Sequence, residues 1–151
     1  MELQLFEVVA EACRGLVPAD LGEVHLRSHR YGVKAWFGTE EPSREHYEAQ
    51  VVSAKHVPGA KVLALELGFH AEHPKVADND EVIARLVTGE RTWRRTLGDD
   101  VVVGPFLGRE DVWRRVSETW ADPDLGDPDL VLDVALRLVD YFTALEPLRR
   151  A

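Results

Sequence analysis

The chain has 151 residues, 45% hydrophobic and 30% charged, with a formal net charge of -9. Such a length suits one domain, 1–151, with enough chain to bury a core, and no apolar run approaches the roughly eighteen residues that a membrane helix needs. The acidic balance, with a pI near 5.1, speaks against holding nucleic acid by neutralising many phosphates.

The opening MELQLFEVVAEACRGL interleaves acidic with apolar residues where a secretory signal is basic, so a soluble, cytoplasmic protein is expected. Leu5, Phe6, Val9, Ala10 and Cys13 recur on one helical stripe, and Gly15 stands where helices often stop. Cys13 is the one cysteine. It has no partner for an internal disulfide, and on that stripe it reads as a buried thiol rather than a nucleophile.

After Pro18 and Gly22 the period changes, and EVHLRSHRYGVKAWFG suggests two short strands over 23–28 and 31–38. GTEEPS is a polar loop, and REHYEAQVVSAKH alternates again up to the turn signal VPGA. The strand LALELGFHA follows and ends near Glu72 and His73. Asp78 with Glu81 has capping-box spacing and predicts a helix carrying Val82, Ile83, Leu86, Val87, Trp93 and Leu97, closed by Gly98. VVVGPFLG is a short apolar piece, and Val112, Trp113, Val116 and Trp120 predict a third helix. Asp127-Pro128 opens a last helix with Leu130, Val134, Ala135, Leu138, Tyr141, Phe142 and Leu145 facing inward. Strands in one block with helices around them predict an α+β fold: a single antiparallel sheet of about four strands, a meander of hairpins, with about four helices packed mainly on one face.

The hairpin around KHVPGAK has a solvable register. Tyr47, Ala49 and Val51 form one apolar face, Leu63, Leu65, Leu67 and Phe69 the other, and a slip of one residue would turn every side chain over. Pairing His56 with Ala60 leaves a three-residue loop, Val57-Pro58-Gly59, with glycine where such loops want a left-handed residue. That register sets Val51 opposite Leu65, Ala49 opposite Leu67 and Tyr47 opposite Phe69. On the reverse face it sets Gln50 against Glu66, Glu48 against Gly68 and His46 against His70, with Glu72 one step on. Lys34 and Trp36 join that face if the preceding strand pairs with this one.

Two imidazoles facing each other among carboxylates are ligand types for zinc, manganese or iron. His46, His70 and Glu72 are the candidate ligands of a divalent metal, with Glu66 as the alternative third ligand; Glu48, as base, and Glu66 are the catalytic candidates, and Lys34, Trp36 and Gln50 candidate binding residues. The outward face of a half-buried sheet is also ordinarily polar, and cross-strand His, Glu and Gln pairs decorate such surfaces. Two functions follow. One is a non-enzymatic interaction module that docks a protein partner or a second copy on this face; the other is a small metal-dependent hydrolase, a nuclease or phosphoesterase, with its site there. A ligand pocket between the sheet and the last two helices is a third. His56 and His73 read as structural. Glu48-Ala49-Gln50 resembles the (D/E)-x-K element of the PD-(D/E)xK nucleases, without its lysine or the preceding Pro-Asp. The two Trp-Arg-Arg triplets, at 93–95 and 113–115, are expected on helices, where arginines serve solubility or hold an anion.

Overall fold

The computed structural model describes residues 2–38 and 44–151, with no side chain described before Leu5. The chain runs α1 (Glu2–Leu16), β1 (Val24–His29), β2 (Gly32–Phe37), β3 (Glu45–Ser53), β4 (Leu63–Ala71), α2 (Val76–Val87), α3 (Glu90–Leu97), β5 (Val102–Phe106), β6 (Arg109–Ala121) and α4 (Asp129–Arg149). All strands join one antiparallel sheet in the order β1-β2-β3-β4-β6-β5. Among the described residues, the α+β class, the single antiparallel sheet and the four helices agree with expectation, and the sheet has six strands rather than about four. Most of the polar loop expected at 38–43 lies outside the described residues.

The extra strands come from the stretch read as a third helix. Residues 109–121 are instead the long strand β6, and VVVGPFLG supplies β5 and the tight turn joining the two. The helix expected up to Leu97 is two, α2 and α3, separated at Thr88 and Gly89. A Cβ at Gly89 would stand 2.6 Å from the Leu148 side chain, so the absence of one lets α3 close against α4. Asp78 lies in the first turn of α2, which starts at Val76, rather than capping it. The start of α4 does follow from its sequence: Asp127 Oδ1 accepts the Asp129 N–H at 2.9 Å.

Helices α1, α2 and α4 pack on the sheet face that bears Val33, Tyr47, Leu67 and Val116. The predicted stripes of α1 and α4 point into that core, and Leu138, Tyr141 and Phe142 are wholly buried there. The β3–β4 register is the one derived above, with Val51 opposite Leu65, Glu48 opposite Gly68 and His46 opposite His70. Its turn is longer than three residues. The ladder ends at Ser53 and Leu63, and 54–62 form a 3-10 turn and a loop, with Gly59 at φ +91. Asp122, just past β6, pins the far end of that loop by accepting the N–H groups of Lys61, Val62 and Leu63.

The opposite face is polar, yet its centre is buried: Trp36 is 3% exposed, His46 2%, Glu48 4%, Glu66 1% and His70 0%. The sheet supplies much of this cover itself. Gly68 has φ +147, and a Cβ there would stand 2.4 Å from the Val116 carbonyl oxygen, so β4 and β6 meet backbone to backbone as no other residue permits. A register shift between Pro105 and Phe106 bends β5 and places the Phe106 ring edge-on to His70, at 4.6 Å between centroids. Trp113 then stands edge-on to Phe106 at 5.4 Å and extends that wall.

Candidate metal centre

Side chains alternate along a strand, so His46 and Glu48 on β3 share a face with Glu66 and His70 on β4. Directly opposed residues stand about 5 Å apart at Cβ, close enough for their polar tips to converge. His46 Nε2 lies 3.2 Å from Glu48 Oε1 and 3.4 Å from Glu72 Oε2. His70 Nδ1 lies 3.3 Å from Glu48 Oε1 and 3.4 Å from Glu72 Oε2. One donor atom from each of these residues thus fits within a span of 4.8 Å. Glu72 reaches the group from beyond the end of β4, where its N–H donates to the Arg44 carbonyl at 2.7 Å.

The far nitrogen of His70 decides its tautomer. Nε2 sits 2.9 and 2.8 Å from the two Glu66 oxygens. An ionised carboxylate only accepts, so Nε2 carries the proton and donates it. In the neutral ring, Nδ1 then presents a lone pair between Glu48 and Glu72. It is fully buried and makes no hydrogen bond. The other unpartnered buried side-chain nitrogen among the described residues is Arg85 Nε, whose guanidinium keeps ion pairs with Glu81 and Glu45 through its other nitrogens. Gln50 Nε2 donates to Glu66 Oε1 at 3.0 Å, so Gln50 fixes the carboxylate that fixes His70.

Without an ion, the group is a charged network. Burial disfavours the imidazolium of His70, but the Glu66 charge and the surrounding carboxylates outweigh it and hold its pKa well above 6.5. His46 shows the same balance more mildly, with burial opposed by hydrogen bonds to Glu48 and Glu72. Burial also pushes the carboxylates up, and the imidazoles more than reverse this: Glu48 and Glu66 lie below the ordinary 4.5, and Glu72 falls to about 2.

The structure brings together four of the predicted residues, His46, Glu48, His70 and Glu72, and puts the others around them. Glu66 stands behind His70, away from the converging donors, so its geometry is that of a ring-orienting carboxylate rather than of a base. Lys34 lies opposite Glu48 in the β2–β3 ladder. Trp36 shares its face, with His25 stacked on its ring at 5.6 Å and the Arg27 guanidinium 5.9 Å from it. Three contributors escaped the sequence reading. His29 Nε2 is 3.6 Å from Glu48 Oε2; Arg115 donates to Ser117 Oγ at 2.9 Å and to the Pro105 carbonyl; and the Ser117 hydroxyl helps hold Glu66 ionised. The last two lie in β6, so a period-two reading of 109–121 behind the Leu107-Gly108 turn could have found them.

The remaining candidates are occupied elsewhere. His73 pairs with Glu45 at 2.7 Å on the helix side, and His56 ends the 3-10 turn after β3. Of the Trp-Arg-Arg triplets, only the first is helical; Arg94 is bound by Glu90 and Arg114 by Asp80. No family model, curated protein or solved structure matches the chain.

Proposed function

We propose that the protein binds a divalent metal through His46 Nε2, His70 Nδ1, Glu48 and Glu72. The observation that carries this reading is the spacing of the donors. Metal–ligand bonds of about 2.1 Å put adjacent donor atoms about 3.0 to 3.4 Å apart, from octahedral to tetrahedral angles. The four imidazole-to-carboxylate separations are 3.2, 3.4, 3.3 and 3.4 Å, and the whole donor set lies within 4.8 Å, wider than a closed tetrahedron with edges of about 3.4 Å and so with room for a further ligand. The best charge-assisted hydrogen bonds are shorter, about 2.7–2.9 Å, like the Glu66–His70 contact behind the ring, whereas the His46–Glu48 hydrogen bond is long, at 3.2 Å. The unpartnered Nδ1 and the Glu66–His70 dyad add support, because a ligating histidine commonly donates its other N–H to a carboxylate. Two neutral imidazoles and two carboxylates also cancel the charge of one divalent ion in a buried place.

Calorimetric titration of zinc and of manganese into chelator-treated protein tests the reading. One ion per chain at micromolar affinity or tighter, lost in a folded His46→Ala/His70→Ala double variant, is expected. A folded double variant that binds as well as the wild type would end it.

A hydrolytic use of the metal is favoured by His29. This ring is the open one of the group, with its side chain 44% exposed and Nε2 3.6 Å from a Glu48 oxygen. A metal in such a place makes bound water acidic, and an accessible imidazole beside it takes the proton. Metal-dependent cleavage of an activated phosphate ester that falls in His29→Ala, with metal affinity kept, is the expected result. A docking module with a protein partner or a second copy on this face draws less support, since its centre is already covered.

A further inference from the structure

The β1–β2 hairpin beside this centre carries a set of cations that its own carboxylates leave alone. The ladder puts Arg27 opposite Lys34 and Lys34 opposite Glu48. Outward from a metal-ligand residue, one row of the polar face therefore reads carboxylate, ammonium, guanidinium. Arg30 follows at the turn, its guanidinium 5.4 Å from the Tyr31 ring. Among the described residues, no carboxylate stands at ion-pair distance from Arg27, Arg30 or Lys34, although the chain has 27 acidic residues to 18 basic ones. Arg94, Arg114, Arg137 and Arg149 are all paired by comparison. Arg27 is also backed by the Trp36 ring, which limits the freedom its long side chain would lose on binding. A cavity of about 300 Å³ opens beside β1, lined by Arg14, Glu23, His25, Arg27 and Trp36 among others.

We propose that this hairpin holds the phosphate group of a small phosphate-bearing ligand, with Arg27 and Lys34 as the clamp and the metal beside Glu48 as the third positive centre. The inference rests on the metal reading and names the ligand class of that site. A phosphate carries up to two charges and three free oxygens, so it can meet a planar guanidinium, an ammonium and a metal at once. Glu48 and Glu72 balance the net charge of a bound divalent ion, so the ion offers the phosphate a coordination position while the hairpin cations supply the net charge that recruits it. The ligand is small. An extended nucleic acid would have to pass a chain of net charge -9 with Glu23 beside the cations, and a few cations release too few counterions to hold it.

The test is titration of inorganic phosphate, by calorimetry, into metal-free and metal-loaded protein, for wild type and for the Arg27→Gln/Lys34→Gln double variant. Arg27 is exposed and Lys34 half-buried, and glutamine keeps most of the length of either side chain, so the variant is expected to fold, with circular dichroism as the check. Metal-loaded wild type should bind phosphate, and the double variant should weaken it at least about tenfold, or about 1.4 kcal/mol, with metal affinity unchanged. Equal phosphate affinity in wild type and folded double variant would overturn the clamp, as would no binding by metal-loaded protein up to about 10 mM phosphate. A single-stranded oligonucleotide that binds through Arg27 and Lys34 more tightly than phosphate would overturn the small-ligand assignment. Failure of the metal reading reads out separately: metal does not bind, while phosphate still binds the metal-free protein and is lost in the double variant.

Discussion

The two faces of the sheet both bury carboxylates, and they satisfy them in opposite ways. On the helix side, Glu146 is 0% exposed. It accepts the Tyr47 hydroxyl at 3.0 Å and both ends of the Arg149 fork at 2.8 and 2.7 Å. Glu118, on the same side, accepts from Tyr141, Arg137 and Trp120 at 2.7–2.8 Å. Each of these carboxylates is met by donors of fixed geometry, and nothing more is called for. On the polar side, Glu48 and Glu72 meet two imidazoles at 3.2–3.4 Å, and His70 Nδ1 is left without a hydrogen bond. A saturated buried network locks a fold, whereas a converging but unsaturated one has room for an ion.

The comparison breaks first at Glu146. Glu146→Ala leaves the Tyr47 hydroxyl without its acceptor and the Arg149 guanidinium with Glu45 alone, and should cost about 3–5 kcal/mol, by the same amount with and without metal. Urea titrations in chelator and in zinc check this, and a loss that zinc changes would mean the two faces are coupled. The mirror experiment is metal itself. An ion at a hundred times its dissociation constant should stabilise the wild type by about 2.7 kcal/mol, a rise of roughly 5–10 °C in Tm for a chain of this size. His70→Ala should remove that rise.

That rise should depend on pH. The raised pKa values of His46 and His70 contribute stability that is fully present below about pH 6.5 and is lost as pH climbs through their folded values. Glu72, lowered to about 2, contributes stability that is present above about pH 4.5 and is lost as pH falls through about 2. On this account the metal-free cluster stabilises best between about pH 4.5 and 6.5. Metal competes with protons for the imidazoles and binds better as pH rises. The gap in Tm between zinc-loaded and metal-free protein should widen from about pH 6 to 8; a constant gap would place the ion elsewhere. Glu66→Gln sharpens the picture at smaller scale, because it keeps the shape but weakens the orienting bond to His70. Metal affinity should fall about 10–100-fold, and the metal-free protein should lose the part of its stability below about pH 6.5 that the Glu66 charge gives His70. The smallest effect belongs to the core. The Cys13 thiol is fully buried and pushed up to about 12, so an aromatic disulfide reagent at mildly alkaline pH should label it in urea and leave it untouched in the native protein.

Much of the candidate site was readable because strand periodicity is strict. With two apolar faces that must coincide, one register remains, and it puts His46 opposite His70 from the sequence alone. The stretch 112–120 reads as a helix and folds as a strand for an equally physical reason. Val112, Val116 and Trp120 are four apart, a spacing shared by a helix face and by alternate residues of a strand. The residues between them on the same face, Arg114 and Glu118, are charged and hide the alternation. Glu118 can sit there because Arg137 and Tyr141 of α4 meet it, and no local pattern announces partners that far along the chain. Ser117 and Arg115 were lost with the strand.

By itself, the sequence determined the apolar stripes of α1 and α4, the alternation of β1 to β4 and the face on which His46, Glu48, Glu66 and His70 lie, since all of these follow from local periods. The tertiary structure alone decided that this face is buried at its centre. That outcome needs β4 and β6 to touch at Gly68, β5 to bend at Phe106, and Glu72 to swing in beyond the end of its strand. Each depends on contacts between distant parts of the chain, and it is those contacts, rather than the choice of residues, that turn a polar sheet face into a set of donors about one ion wide.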